Sequence, residues 1–280
     1  MAELYHYTTG AGLLGMLKDY DAEKNPYLTM WATHCHFLND RSEFLQGEEL
    51  CRKAICEYEE EQGIPIAERV ENIIENPSIR KFDRMHYEGG ATYPSLIHEG
   101  YPYLFSLSRA KDSLPMWGLY AKNGNGIAIV FDEEALQREF RGQDCFYCQK
   151  DNTLPLKATI AKLYVDDIQL SREANRLTTI LVLNLIYRKV GSYIKHKSFE
   201  FEQEFRVVAT ESTHILFREK AGLIVPYVEQ KIPVKYIKGI IVGPTADFDR
   251  MKEALSILLI NKNVNVRKID IIQSEVPYMG

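Results

Sequence analysis

The sequence has no long apolar run, no surplus of basic residues and none of the short motifs that mark the common nucleotide-binding and hydrolytic enzymes. Its most apolar stretch, ILVLNLIY at 180–187, is far too short to span a bilayer and contains Asn184. The formal net charge is -5, so we expect no general attraction to nucleic acid or to an anionic membrane, while a local basic groove is compatible with this value. No GxGxxG, P-loop, HExxH or GxSxG pattern occurs.

Cysteine is scarce as well, with five residues in 280. The number of cysteines is odd, and the first segment, MAELYHYTTG, lacks the basic start and apolar core of a signal peptide. We therefore predict a cytoplasmic protein with reduced thiols. Cys145 and Cys148 form a CFYC motif, and His34, Cys35 and His36 lie together in THCH. A zinc site normally shows two well-spaced ligand pairs, so we predict no metal site from these segments.

The residues that are present indicate an α+β protein. Hydrophobic residues make up 45% and charged residues 26% of the chain, which is ordinary for a globular protein able to bury a sizeable core. Strand patterns such as ELYHYTT, YLFSLS and GIAIVFD alternate with helical patterns, and LKATIAKLYV at 156–165 also indicates a strand. We predict a single α+β domain over residues 1–280 with a helical insertion at 43–100.

The segment FEFEQEFRVVA at 199–209 places alternating acidic residues on an otherwise apolar strand pattern. Residues two apart on a strand share a face, so Glu202, Glu204 and Arg206 are predicted to point the same way. On a half-exposed strand such a row is most often a solvated face. The alternating phenylalanines and the VVA run favour a central strand, on which charged side chains need partners or a ligand. Arg206 can pair with one carboxylate and leave the other free.

Two segments nearer the start contain further candidates. In LYHYTT, His6 lies at a strand end between two tyrosines, where a histidine is usually a structural group, and Thr8 belongs to a threonine pair that would normally cap a helix. In HFLNDRSE, Asn39, Asp40 and Glu43 are common turn and helix-cap residues that also carry acidic and amide oxygens. Neither segment is decisive alone.

The segment LFSLSRAKDSLPMWGLYAKNGNG leads from a strand into a helix. Ser106, Ser108 and Arg109 lie at the strand end before the helix N-terminus, where hydroxyls and exposed amides favour an anion such as phosphate. A structural role, in which these residues cap the N-terminus of the following helix, explains them equally well. Trp117 and Tyr120 lie on neighbouring helix positions, which usually indicates an aromatic core stripe.

Taken in order, the blocks LYHYTT, WATHCHFLNDRSE, LFSLSRAKDSLPMWGLYAKNGNGIAIVF, KSFEFEQEFRVV and IKGIIVGP resemble a bacterial family known as domain of unknown function 2971. The resemblance covers roughly the whole chain and rests on FLND..E, S.S....MW..Y and E.E.R together. The family has no settled activity, so the resemblance implies a fold more than a reaction.

The same order is similar to the histidine, aromatic, glutamate triad of the ADP-ribosyltransferase fold, which implies a mixed, mostly antiparallel sheet core. In that resemblance His6 and Thr8 hold the nicotinamide ribose of NAD, and Tyr120, or its rival Trp117, stacks on nicotinamide. A late-strand glutamate is the catalytic acid and its E-x-E neighbour the auxiliary carboxylate. The residues implied are Glu204, Glu202 and His6 for catalysis, and His6, Thr8, Ser106, Ser108, Arg109, Trp117, Tyr120 and Arg206 for NAD binding.

The leading hypothesis is NAD-dependent ADP-ribosyl transfer or NAD hydrolysis, with NAD as substrate, the acceptor left open, and a toxin or defence role implied by the resemblance alone. Nicotinamide leaves ribose through a cationic transition state, which a carboxylate on a rigid strand would stabilise. One alternative is a non-catalytic sensor that binds a nucleotide or another phosphate-bearing ligand. The other alternative is a metal-dependent nuclease or phosphoesterase, which would use Asn39, Asp40, Glu43, Glu202 and Glu204.

Overall fold

The computed structural model divides the chain into two compact units. The first unit comprises Met1–His34, Tyr103–Cys145 and Ser198–Gly280, and the second comprises Cys35–Pro102 and Phe146–Lys197. The structure describes residues 2–38, 43–74, 102–149, 151–174, 176–209, 214–220, 222–265 and 268–278. Part of the predicted insertion, at 75–101, lies outside the described residues. No helix in the described ranges is long and apolar enough to cross a membrane.

The first unit is built on a sheet of ten strands among the described residues. All of its pairings are antiparallel except that of the last strand, so the prediction of a mixed, mostly antiparallel α+β fold is confirmed. The strands, in chain order and with the two short strands of the second unit included, are β1 Glu3–Thr8, β2 Tyr27–His34, β3 Tyr103–Ser108, β4 Ile127–Asp132, β5 Gly142–Asp144, β6 Phe146–Cys148, β7 Ile194–His196, β8 Glu204–Val208, β9 Leu216–Lys220, β10 Leu223–Pro233, β11 Ile237–Val242 and β12 Asp270–Gln273.

The main path of this sheet runs β12-β11-β4-β1-β3-β2-β10-β9, and β8 joins β3 and β5 beside it. Helices of the first unit pack on the sheet. They are α1 Gly10–Met16, α4 Leu114–Tyr120, α5 Glu133–Glu139 and α9 Phe248–Asn261. The second unit is mainly helical in its described part. Its helices are α2 Glu43–Glu61, α3 Val70–Ile74, α6 Lys157–Leu163, α7 Leu170–Ala174 and α8 Arg176–Gly191, with a π-helical stretch Tyr164–Gln169 between α6 and α7.

Strand β3 is the branch point of the sheet. Along one edge it pairs with β8 over its length, from Leu104 opposite Val208 to Ser108 opposite Glu204. Its other edge is shared, because β1 joins it only at Ser108 and β2 joins it only at residues 103–104. On this edge β1 pairs with one end of β3 and β2 pairs with the other end. Residues 105–107 of β3 lie between these two paired stretches, so β1 and β2 diverge here.

The strand sequences explain why the sheet is buried on both faces. In β1, Leu4 packs in one core cluster while Tyr5 and Tyr7 pack in another, as the period of two in a strand requires. Strand β4 reads IAIVFD because it is central: Ile129 faces the first cluster and Val130 faces the second. The second cluster also contains residues of α4, which therefore covers that face.

The segment LKATIAKLYV, predicted as a strand, is helical. It forms α6 and the start of the π-helical stretch. Leu156, Ile160, Tyr164 and Ile168 are all buried, and this spacing of four is the period of a helix face. The prediction was wrong because a short apolar run with β-branched residues does not distinguish a strand from a buried helix.

Candidate functional site

The acidic segment predicted as one strand folds in two parts. Lys197–Glu202 is a short 3₁₀ helix, and β8 begins only at Glu204. Between them Gln203 has φ of 41°, in the left-handed region, and its carbonyl accepts a hydrogen bond from the Arg109 amide at 2.9 Å. The predicted common strand face is therefore correct for Glu204 and Arg206 and wrong for Glu202, because the Gln203 turn interrupts the alternation.

Glu204 and Arg206 form a bidentate ion pair on one face of β8. Arg206 Nε donates to Glu204 Oε1 at 2.9 Å, and Arg206 Nη2 donates to Oε2 at 3.0 Å. Glu204 is 5% exposed and Arg206 is 2% exposed. The two parallel hydrogen bonds fix the orientation of both side chains. Because both groups are buried, each charge is stabilised by the opposite charge of its partner. The carboxylate is thus held rigidly on a strand.

Ser106 connects this pair to the neighbouring strand. In the register Ser106 lies opposite Arg206, and its hydroxyl donates a short hydrogen bond to Glu204 Oε1. Ser106 is partly exposed although Glu204 and Arg206 are buried. The Ser106 side chain is therefore a point at which a ligand in solvent can approach the buried carboxylate.

His6 contacts the Ser106 backbone from the other face of the sheet, since Tyr5 lies opposite Ser108 and Ser108 lies opposite Glu204. Its Nδ1 lies 3.4 Å from the Ser106 carbonyl oxygen, at the stretch of β3 between the β1 and β2 registers. Burial lowers the pKa of His6 from its ordinary value, and the hydrogen bond to the Ser106 carbonyl opposes that shift. The neutral imidazole is therefore favoured around neutral pH. Strand alternation places its side chain on the face of β1 opposite to Tyr5 and Tyr7.

A second acidic contact lies beside the first. Tyr120, at the end of α4, donates from its hydroxyl to Glu202 Oε1 at 2.8 Å, and Glu202 is 3% exposed. The Ser108 hydroxyl donates to the Glu202 carbonyl oxygen at 2.6 Å and accepts from the Ala110 amide at 3.0 Å. The structure thus brings the predicted aromatic residue Tyr120 to the predicted auxiliary carboxylate.

Trp117, the other aromatic candidate, is a core residue. It is fully buried, and its ring meets that of Tyr7 edge to face at a centroid distance of 4.9 Å. Its Nε1 donates to Asp112 Oδ1 at 2.8 Å. This arrangement satisfies both the apolar body and the polar atom of the indole. Tyr120 is only partly buried, and it packs against the same core cluster.

Arg109 is engaged with carboxylates. Its two terminal nitrogens donate to Glu133 at 2.7 and 2.6 Å, and its Nε donates to Asp144 at 2.5 Å. The hydrogen bonds to Glu133, followed by those to Asp144, raise the pKa of Arg109 further above its ordinary value. An incoming phosphate would have to compete with these two acids for the guanidinium group.

The Thr8 hydroxyl lies against helix α1. A Cβ built on Gly12 would fall 2.2 Å from Thr8 Oγ1, so glycine is required for this close approach. The helix cap is supplied by the next residue, since Thr9 Oγ1 accepts from the Gly12 amide at 3.1 Å. Ser106, Glu204 and Arg206 are thus joined by direct contacts. His6 contacts the Ser106 backbone from the other face of the sheet, and Thr8 packs on α1.

One exposed aromatic residue near this site was missed by sequence reasoning. Thr33 of β2 lies opposite Leu104 of β3, where the pairing of these two strands ends. If the pairing continued for two more residues, Trp31 would lie opposite Ser106. Trp31 is 45% exposed. The signal in the sequence was a bulky aromatic in YLTMWAT at a position facing away from the core, and it was not singled out.

The metal-ligating residue types do not converge. Among the described residues no group of three or more His, Cys, Asp or Glu side chains is arranged to hold a metal ion. Cys145 and Cys148 are buried, and burial raises the pKa of the Cys148 thiol to about 11. Asn39 and Asp40, and the side chain of Glu43, lie outside the described residues, so the predicted nuclease ligands are untested as a set.

Fold and contacts together define a mixed α+β protein with a buried, strand-borne carboxylate beside a partly exposed serine. Residues 116–207 match the model of the family described as Protein of unknown function (DUF2971), so this part of the chain is similar to that family. The matched span begins in α4 and ends in β8, so it includes Tyr120, Glu202, Glu204 and Arg206. No curated protein and no solved structure matches the chain.

Proposed function

We propose that this protein binds NAD and catalyses ADP-ribosyl transfer to an acceptor or to water at the face of β3 and β8. The observation that carries the proposal is the hydrogen bond from the Ser106 hydroxyl to the buried Glu204 carboxylate, which Arg206 holds from the other side. It supplies a fixed negative group next to a partly exposed hydroxyl, which is the arrangement that a cationic transition state requires.

The reaction breaks the bond between ribose C1′ and the nicotinamide nitrogen, and the bonding pair leaves with nicotinamide, which becomes neutral. Positive charge develops on C1′ and the ring oxygen. Water or another nucleophile then forms a bond to C1′ and releases a proton. A preorganised carboxylate lowers the barrier because it stabilises charge that is absent from the ground-state ribose.

The contacts suggest separate roles. Glu204 would stabilise the developing charge and accept a hydrogen bond from a ribose hydroxyl, taking over the position of the Ser106 donor. Arg206 positions Glu204 rather than touching substrate, since it is buried behind it. Tyr120 and Glu202 would form the adjacent wall, with the Tyr120 ring limiting the access of water.

The test is nicotinamide release from NAD by the purified protein. Glu204→Gln is expected to reduce release by about 100-fold or more, the scale of losing one electrostatic stabiliser. Glu200→Gln is the matched control, because Glu200 is an exposed acid in the same segment. Equal rates in the two variants would contradict the assignment of Glu204.

The runner-up, a non-catalytic nucleotide sensor, is favoured by one observation. Both Glu204 oxygens already accept hydrogen bonds from Arg206, which partly balances the charge available to a transition state. Saturable NAD binding by calorimetry without nicotinamide release, with binding weakened in Ser106→Ala, would support the sensor. Absence of both binding and release would remove NAD from consideration.

A further inference from the structure

Strands β2, β10 and β9 present an aromatic and cationic surface on one face. Tyr227 lies opposite Thr33 on one side and opposite Leu216 on the other. Arg218 is two residues from Leu216 and therefore shares that face, as Trp31 does through its spacing from Thr33. We refer to Trp31, Thr33, Arg218, Lys220 and Tyr227 as the Trp31 platform.

Stacking of the Arg218 guanidinium on two aromatic rings contributes to holding the platform together. The Arg218 guanidinium carbon lies 4.9 Å from the centroid of the Trp31 ring and 5.5 Å from that of Tyr227. The two rings are 5.1 Å apart, and Arg218 Nη2 donates to the Thr33 hydroxyl at 2.9 Å. Within the described part of the chain, Arg218 Nε is buried without a hydrogen-bond partner. The guanidinium plane is thus fixed on the surface, and Trp31 remains 45% exposed.

The electrostatics of the platform favour an anion. Lys220 shares the face with Arg218, and burial, followed by repulsion from Arg218, lowers the pKa of Lys220 from its ordinary value. Burial also lowers the pKa of Arg218. The acid on this face of β10, Glu229, forms its ion pair with Lys231 at 3.4 Å. Two neighbouring cations that repel each other are stabilised by a bound anion.

The same face leads to the candidate site. Thr33 lies opposite Leu104, and Leu104 lies two residues from Ser106 on β3. Residues two apart on a strand point the same way, so the Trp31 platform and the Ser106–Glu204 contact occupy one continuous face of the sheet. An extended ligand on the platform would follow this face towards Ser106.

We propose that the Trp31 platform binds single-stranded nucleic acid, with bases stacked on Trp31 and Tyr227 and phosphates near Arg218 and Lys220. Every base has a flat face that an exposed aromatic ring can stack on, and stacked arginine adds to that attraction. A single strand fits better than a duplex because its bases are free to leave their own stack and reach a sheet surface. The proposal goes beyond NAD chemistry and does not depend on it.

The chain offers a direct optical test. It contains two tryptophans, and Trp117 is fully buried, so a ligand that stacks on the platform should quench the fluorescence of Trp31 alone. The probe is a fluorescein-labelled oligothymidylate of about 12 nucleotides, near the upper range of site sizes for one sheet-based module. We expect saturable anisotropy, quenching of the tryptophan signal, and weaker binding as salt is raised.

Variants separate stacking from general charge. Trp31→Ala is expected to weaken oligothymidylate binding by about 10-fold or more, the effect of losing one stacking aromatic. Arg218→Gln should weaken it and reduce its salt dependence. Lys252→Gln is the matched control, since Lys252 is another exposed cation stacked on an aromatic ring, 5.3 Å from the Phe248 centroid on α9, and should bind like the wild type.

Three results would overturn the proposal. They are equal affinity in Trp31→Ala and wild type, duplex binding as tight as single-strand binding, and quenching of Trp31 by AMP with no oligothymidylate binding. The last would assign the platform to a free nucleotide. Because oligothymidylate binding is measured without NAD, its failure leaves the nicotinamide-release result intact, and the reverse also holds.

Discussion

Both units of this protein bury glutamates, and Glu59 of the second unit and Glu204 of the first are surrounded differently. In the second unit Glu59 is fully buried and accepts from the Val70 amide at 3.0 and 3.1 Å and from the Tyr164 hydroxyl at 2.6 Å. In the first unit Glu204 accepts from Arg206 and from the hydroxyl of Ser106, a partly exposed residue. A carboxylate that binds the first amide of α3 has a structural task, whereas in the proposed function a ligand would replace the serine hydroxyl that donates to Glu204.

The comparison also shows why burial alone identifies no site. Both carboxylates lie near arginine, since Arg172 is 3.4 Å from Glu59 and Arg206 is 2.9 Å from Glu204. They differ in their other donors, which are a backbone amide and a buried tyrosine hydroxyl for Glu59 and the hydroxyl of the partly exposed Ser106 for Glu204. Function is therefore to be sought where a buried charge has a neighbour that a ligand can replace.

The largest expected effect is a loss of stability when Glu59 of the second unit is replaced. Glu59→Ala would leave the Val70 amide and the Tyr164 hydroxyl buried without their acceptor and would remove the contact with the partly exposed Arg172, so the free energy of unfolding should fall by about 3–5 kcal/mol. Urea unfolding followed by circular dichroism measures it. Glu60→Ala is the matched control, because Glu60 is exposed and its pair with Arg69 should contribute less than about 1 kcal/mol. Similar losses in both variants would contradict the structural role of Glu59.

The next effect concerns the ion pair of the first unit. Glu204→Leu leaves Arg206 charged and buried, which should destabilise the fold by about 3 kcal/mol. Replacing both residues by leucine should restore much of that stability, because no buried charge is then left without a partner. Nicotinamide release should stay lost in the double variant. Thermal unfolding of single and double variants checks this, and a double variant less stable than the single would show that the pair itself stabilises the fold.

A smaller effect is expected at Tyr120. Tyr120→Phe removes the hydroxyl that donates to Glu202 at 2.8 Å and should lower stability by about 1 kcal/mol, the scale of one hydrogen bond. In the proposed function it should also raise the concentration of NAD needed for half-maximal rate. Kinetics of nicotinamide release together with thermal unfolding separate the two consequences, and an unchanged rate curve would exclude a role of the Tyr120 hydroxyl in NAD binding.

The smallest effect is a pH dependence at His6. Its pKa is lowered in the folded protein, so the unfolded chain takes up the proton first as pH falls. The stability associated with neutral His6 is present above the ordinary pKa of about 6.5 and is lost as pH falls from there through the lowered pKa. His6→Gln should flatten the unfolding free energy over this range. A variant as pH-dependent as the wild type would assign the dependence to other groups.

The sequence predicted the class of fold, because period-two alternation in segments such as GIAIVFD reflects burial on sheet faces. It also predicted that Glu204 and Arg206 share a strand face and that Arg206 pairs with one carboxylate, and the structure identifies Glu204 as a partner. It failed for Glu202, where a single left-handed residue, Gln203, breaks the alternation. It could not place Thr8 against Gly12 or Arg109 against Glu133 because helix and strand packing brings these groups together.

The most direct measurement of the central claim is nicotinamide release from NAD by wild type, Glu204→Gln and Glu59→Gln, each at equal concentration of folded protein. If accessibility through Ser106 distinguishes the two buried carboxylates, the wild type and Glu59→Gln release nicotinamide at similar rates and Glu204→Gln falls by about 100-fold or more. Equal loss in both variants, or release unaffected by Glu204→Gln, would contradict the account.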